Sequence, residues 1–232
     1  MIDRLALSSL LRNVLIFCFI VCISPFAFAD QAFDEAVKKA ETGKALDQHL
    51  LGQKYDRGEG VAQSYEQAAK WYLKAAKQGY AKSQSNLGNM YNQGQGVVRD
   101  YKEAAKWYRK AAEQGYAKAQ YNLGVMYKKG NGIAQNYKEA VKWFTLSAEQ
   151  DYGLAQFALA VMYCNGMGTA QDFEQAYIWA TVAPTNGDEV VRLRMLAASK
   201  LSSEAVKKAT EKASFLRKKI DSKKKTNGKA VY

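Results

Sequence analysis

Apolar and polar positions along this chain follow one pattern, and the pattern returns. Between residues 81 and 92, Gln84, Leu87, Gly88 and Tyr91 fall three and four positions apart, the stripe of a helix with one buried face. Between residues 101 and 114, Ala104, Trp107, Tyr108 and Ala111 draw a second stripe of the same kind. Moving along by 36 residues finds both again. Tyr55, Tyr91, Tyr127 and Tyr163 keep that spacing, as do Leu51, Leu87, Leu123 and Leu159, and Gln48, Gln84, Gln120 and Gln156. Trp71, Trp107, Trp143 and Trp179, all the tryptophans present, keep it too. A period held through four copies in so many columns predicts an array of stacked helix pairs.

The punctuation agrees. Ser64, Asp100, Asn136 and Asp172 open the second helix of each copy, and all are strong N-cap residues. Gln67, Glu103, Glu139 and Gln175 follow three positions later, where a capping box places its reciprocal partner. Gly79, Gly115 and Gly187 stand where a helix ends in positive φ. Asp151 breaks that column, so the third copy is expected to end less cleanly. The pairs Gly58/Gly60, Gly94/Gly96, Gly130/Gly132 and Gly166/Gly168 read as the turn between the two helices. A phosphate-binding loop would need a preceding strand and a longer glycine pattern, and neither is present. Gly52, Gly88 and Gly124 are mid-helix, where glycine costs about 1 kcal/mol against alanine, so close approach of a helix is expected there, under the aromatic side chains of the second helix. The recurring tryptophans and tyrosines of that helix are expected to be core between neighbouring repeats.

The stretch AKAQYNLGVMYKKGNGIAQNYKEAVKWFTLSAEQ resembles the Sel-one-like repeat (SLR) family, a relative of the tetratricopeptide repeat. The shared pattern is A-x-x-x-L-G-x-x-Y-x-x-G-x-G, a cap, then Y-x-x-A-x-x-W-x-x-x-A-A. It covers residues 43–186 as four repeats, 43–78, 79–114, 115–150 and 151–186. Asp47 departs from it in the first copy, and Ala180 and Pro184 depart in the fourth. The resemblance implies an all-α, right-handed superhelical solenoid of antiparallel helix pairs with helical caps. Residues 30–42 are expected to form the N-terminal capping helix and residues 187–220 two C-terminal ones. Residues 221–232 read as a disordered basic tail.

Composition changes the picture at the two ends. Arg4 and Arg12, the apolar run VLIFCFIVCI, the breaker Ser24-Pro25 and the small residues of AFA lay out a secretory leader over residues 1–29, with cleavage expected after Ala29. The run falls short of the ~20 apolar residues of a membrane span, although an uncleaved anchor is the other reading. Without Cys18 and Cys22 the exported chain keeps Cys164 alone and has no internal disulfide. The leader gone, 32 basic and 21 acidic residues remain, and residues 200–232 hold 11 and 3 of them. Most of the positive charge therefore belongs to the tail.

Reactive groups are sparse. His49 is the single histidine, Cys164 has no histidine in its own repeat, and neither a metal site, a cofactor site nor a catalytic site is expected. The resemblance also brings in cysteine-rich secreted members described as β-lactam binders or hydrolases; this chain lacks their disulfide in each repeat, and that activity is kept as the alternative. Function is expected where the copies differ, on the concave face of the first helices. By analogy with tetratricopeptide arrays, that groove is lined by Lys82, Ser85, Asn89 and Asn92, then Lys118, Tyr121, Val125, Lys128 and Lys129, then Phe157 and Val161. It grades from polar to apolar, and the C-terminal helices either leave Phe157 and Val161 open or fold back over them. The chain is thus read as an exported periplasmic or secreted interaction scaffold for a protein or peptide. Its basic tail is read as drawn to acidic envelope surfaces, and no nucleic acid is expected.

Overall fold

Eleven α-helices and no strand make up residues 25–184 and 187–229, the part of the chain that the computed structural model describes. The leader reading lies, up to residue 24, outside the described residues. Helix α1 spans Pro25–Glu41. Four pairs follow: α2 (Ala45–Arg57) with α3 (Tyr65–Lys77), α4 (Ala81–Gln93) with α5 (Tyr101–Glu113), α6 (Ala117–Lys129) with α7 (Tyr137–Ala148), and α8 (Gly153–Asn165) with α9 (Phe173–Val182). Helices α10 (Asp188–Ser199) and α11 (Ser203–Lys229) close the array. The first helix begins at Pro25 instead of after Ala29, since proline suits a first helical turn and FAFADQAF holds no breaker.

Each outer helix of a pair is started by its polar cap. Ser64, Asp100, Asn136 and Asp172 accept from the backbone N–H groups of Gln67, Glu103, Glu139 and Gln175. The reciprocal half differs from expectation. The cap's own N–H donates to a backbone carbonyl of the inner helix, at Tyr55, Tyr91, Tyr127 or Tyr163, at 2.9–3.0 Å. One residue thereby starts a helix and ties it to its partner, so the Gln or Glu side chain is not needed for that bond.

Two glycine columns set how closely the layers approach. A Cβ on Gly52, Gly88 or Gly124 would stand 2.7 Å from the ring of Tyr72, Tyr108 or Phe144. In the fourth copy that ring is replaced by Ala180, and the glycine correspondingly by Ala160; both are buried. The second glycine of each turn does the same between repeats: a Cβ on Gly96, Gly132 or Gly168 would meet the backbone at Tyr65, Tyr101 or Tyr137 at 2.2–2.3 Å. Pairs of glutamines, an exposed donor on a buried acceptor, stitch the stack further. Gln78, Gln114 and Gln150 each donate at 2.7 Å to Gln48, Gln84 and Gln120, thirty residues earlier.

The rings nearest the core are not the tryptophans. Tyr72, Tyr108 and Phe144 are buried, whereas Trp71, Trp107 and Trp143, one position earlier, are half-buried. Lys74 and Lys110 lie over Trp71 and Trp107 at 3.7 and 4.5 Å from the ring centres. Only Trp179 is fully core, in the cluster that Ala209, Ala213 and Ile220 of α11 complete. Adjacent helical positions differ by about 100°, and a stripe alone does not say which of two neighbouring aromatics points inward.

The end of the array departs most from expectation. Gly187 has φ −67 and caps the start of α10, so it ends no helix in the left-handed region. Asp151, in the column of Gly79 and Gly115, does adopt φ +63, the one described non-glycine residue with positive φ, and α7 stops a residue early. Residues 221–229 are helical, not disordered, because α11 is 27 residues long and finds distant partners. Ala209, Ala213 and Ile220 are buried in one cluster with Trp179 and Val182. Arg217 and Lys224 both bond the Asp151 carboxylate, which is 5% exposed, and Lys223 pairs with Glu149 at 3.4 Å.

Candidate binding groove

Helices α2, α4, α6 and α8 form the inner layer, and an open groove of about 380 Å³ runs across the first two of them to the start of the third. His49, Tyr72 and Met90 form its floor, and Lys82, Asn89 and Lys118 stand along it. Those last three are the residues nominated from sequence that the fold brings together. Asn86 and Tyr116 also line it and were missed. Asn86 carries a signal that could have found it, since Asn122 repeats it one period later.

Ser85 is a correction. It is fully buried and its hydroxyl has no partner, so it presents nothing to the groove surface. The same column explains why. His49 packs between Tyr72 and Tyr80, with ring centres 5.5 and 4.9 Å away, and Tyr121 between Phe144 and Tyr152 at 5.7 and 5.4 Å. The column faces the ring of the outer helix, and a small side chain there sinks below the surface. It fills less than its neighbours, and Tyr116, the equivalent of Tyr80 and Tyr152, borders the groove.

The other nominated residues lie outside the groove lining. Asn92 and Lys128 are half-buried and Lys129 is exposed, near the C-terminal ends of α4 and α6. Tyr121, Val125 and Phe157 are half-buried against the core of the third and fourth repeats, and Val161 is half-buried as well. The apolar end of the inner face is therefore largely packing surface. Helix α10 reaches the end of α8, where Leu193 and Ala197 cluster with Cys164.

Apart from Asp47 and Asp56 on α2, charge in the inner layer is one-sided. Helices α4, α6 and α8 contain no aspartate or glutamate, and they carry Lys82, Lys118, Lys128 and Lys129. Asp56 is the one carboxylate lining the groove, and the Tyr72 hydroxyl donates to it at 3.2 Å. Arg57 is paired with Glu59 at 3.2 Å. Burial, which also raises the Tyr72 and Tyr108 hydroxyls well above the ordinary tyrosine range, keeps both protonated. Asn89 accepts from the Tyr108 hydroxyl at 2.7 Å and from the Asn122 amide at 3.2 Å, which leaves its own NH₂ to face outward.

His49 is held neutral. Burial first, then Lys82 and Arg57, lower its pKa to about 4, while Nδ1 and the Ser83 hydroxyl lie 2.8 Å apart. The unfolded chain takes up that proton near the ordinary histidine value of 6.5 and the folded chain near 4, so stability is full above the higher value and falls as pH drops between the two. Urea unfolding at pH 7.0, 5.5 and 4.5 is expected to show a falling midpoint that His49→Gln flattens; an unchanged slope in the variant contradicts it.

No group of three or more His, Cys, Asp or Glu that could hold a metal occurs among the described residues, and no described helix is long and apolar enough to cross a membrane. Cys164 is buried, and burial raises its thiol pKa, which disfavours the thiolate. The groove instead offers neutral hydrogen-bonding groups beside two exposed ammonium groups.

Comparison with known proteins gives a consistent result. A family model described as the Sel1 repeat matches residues 45–80, 81–116, 117–152 and 153–183. Among solved structures, the chain is similar to c5321, a protective antigen of uropathogenic Escherichia coli strains displaying an SLR fold. Identity is 32% and the TM-score 0.76 over 87% of this chain, which spans 44% of that protein's length. It is also similar to a Sel1 repeat protein from Oxalobacter formigenes, at 34% identity and a TM-score of 0.69, covering 83% of this chain and 79% of that one. No curated protein matches.

Proposed function

The chain belongs to the Sel1 repeat family, and on that premise we propose that it is an exported, non-catalytic scaffold capturing a protein or peptide partner in the groove of Lys82, Asn89 and Lys118. Sel1 repeats generally mediate protein–protein interactions. The observation that carries the reading is the contrast within the inner layer: the same helix column is filled by rings at His49 and Tyr121 and left small at Ser85, beside the open groove.

Export rests on the leader pattern of residues 1–29. The likeness to a protective antigen fits a protein displayed in or beyond a bacterial envelope. The exposed lysines of α11, among them Lys218, Lys219 and Lys225, add attraction to acidic envelope surfaces that salt weakens. Turnover of a β-lactam would call for an activated nucleophile, and the one described thiol is buried and protonated.

Affinity capture from an envelope fraction tests the reading, comparing the wild-type chain with a Lys82→Glu/Lys118→Glu variant. A partner retained by the first and lost at least tenfold by the second is expected. Equal retention, or nitrocefin turnover by the purified protein, overturns it.

A further inference from the structure

We infer that the groove between the first and second repeats selects an extended acidic peptide, a glutamate- or aspartate-bearing segment whose carboxylates are held by Lys82 and Lys118. This rests on the groove reading proposed above and names the chemistry of its occupant.

Three observations on independent groups carry it. Charge is sorted by layer. The inner helices α4, α6 and α8 have no carboxylate, while Glu66, Glu103, Glu113, Glu139 and Glu174 all sit on outer helices. The two lysines at the groove are exposed and make no ion pair among the described residues, although Lys106 and Lys142 on the outer helices pair with Glu103 and Glu139. An unpaired cation is the complement of an anion, and the one carboxylate of the groove, Asp56 on α2, already accepts from the Tyr72 hydroxyl.

The second observation is the hydrogen-bonding set between the lysines. Lys82 and Asn86 are four residues apart on α4 and share one helix face, as Lys118 and Asn122 do on α6. Asn89 already accepts two bonds through its carbonyl oxygen, so what it offers is a donor. Donors from amides and ammonium groups in alternation suit the carbonyls of an extended backbone and the carboxylates that branch from it.

The third is size. A groove of about 380 Å³ lies near the lower bound of pockets that enclose small ligands. It accommodates a side chain or two of an extended strand, and a nucleic acid duplex, with grooves alone about 6–12 Å wide, does not enter it. Tyr72 and Met90 are buried in its floor and Tyr116 at its border is half-buried, which leaves no row of open rings for bases to stack on.

The test is fluorescence anisotropy of the full chain with a fluorescein-labelled peptide of alternating glutamate and glycine, against its glutamine counterpart, at low and moderate salt. The glutamate peptide is expected to bind at least tenfold more tightly. Lys82→Ala and Lys118→Ala are each expected to weaken it about three- to tenfold, and the pair more than either. Lys70→Ala/Lys74→Ala and Lys102→Ala/Lys138→Ala on the outer helices are expected to leave it unchanged. All six lysines are exposed, and a circular dichroism melt verifies that each variant folds. Equal binding of both peptides, or equal loss in outer and inner variants, overturns the inference. Tighter binding of a labelled single-stranded oligonucleotide with the same dependence on Lys82 and Lys118 also overturns it, in favour of a nucleic acid. If the glutamate peptide fails while partner capture still needs the inner lysines, the acidic chemistry falls and the groove reading stands.

Discussion

Gly132→Ala is expected to cost about 3–5 kcal/mol and to loosen the second repeat from the third. Gly132 has φ +70, which a side chain adopts at about 1–2 kcal/mol. Its Cβ would also stand 2.3 Å from the carbonyl carbon and oxygen of Tyr101, backbone that begins α5 of the preceding repeat and cannot rotate away. The informative control is Gly130→Ala, two residues earlier. There φ is +73 as well, but the nearest atom is a side-chain carbon of Gln135 at 3.3 Å. That variant is expected to lose about 1–2 kcal/mol, the conformational cost alone. Urea unfolding followed by circular dichroism separates the two. In a stack whose stability sums over neighbouring interfaces, Gly132→Ala should also broaden the transition, since the halves on either side uncouple. Equal losses for both glycines would mean that strain in the turn, and not contact between repeats, sets the cost.

Asp151→Asn is expected to release the C-terminal half of α11 at a cost of about 2–3 kcal/mol. The carboxylate is almost fully buried and bonds Arg217, Lys224 and the Gln156 amide at once. Asparagine keeps the size and tolerates the left-handed backbone, so the charge is what the substitution removes. Burial by itself raises the Asp151 pKa, but Lys224, Gln156 and Arg217 together outweigh it and hold the carboxyl below its ordinary value of 3.8. A lowered pKa means that this contribution is present above the unfolded value and is lost as pH falls through the folded one. Acid below about pH 4 should therefore loosen α11 in the wild type, as the variant does at pH 7. Hydrogen exchange over residues 203–229 reads both. Protection of Ile220 and its neighbours that survives in Asp151→Asn would show that apolar packing alone docks the helix.

What could be read from the sequence and what could not divide along one physical line. The repeat, its caps and its turns depend on local chemistry, and four copies of Ser64, Asp100, Asn136 and Asp172 state them without ambiguity. The choice between Trp71 and Tyr72 as the inward ring depends on a contact with Gly52, nineteen or twenty residues away, and the periodic stripe runs through both. The exchange of Gly124 and Phe144 for Ala160 and Ala180 does record that contact in the sequence, and it is a usable signal. Ser85 lies below the groove because its column points at the outer helix, as the rings of His49 and Tyr121 do, and the varied residue types of that column do not state this contact. The order of α11 was hidden for a different reason. DSKKKTNGKAVY looks disordered by composition, and the Glu149 and Asp151 that receive its lysines lie about seventy residues upstream.

The proposed working face is the carboxylate-poor inner layer, and not the lysine- and tryptophan-bearing outer one. Hydrogen–deuterium exchange of the protein with and without its captured partner tests it most directly. The account predicts slowed exchange in α4 and α6 around Asn86, Asn89 and Lys118, with α3 and α5 unchanged around Trp71 and Trp107. Protection confined to the outer helices would contradict it.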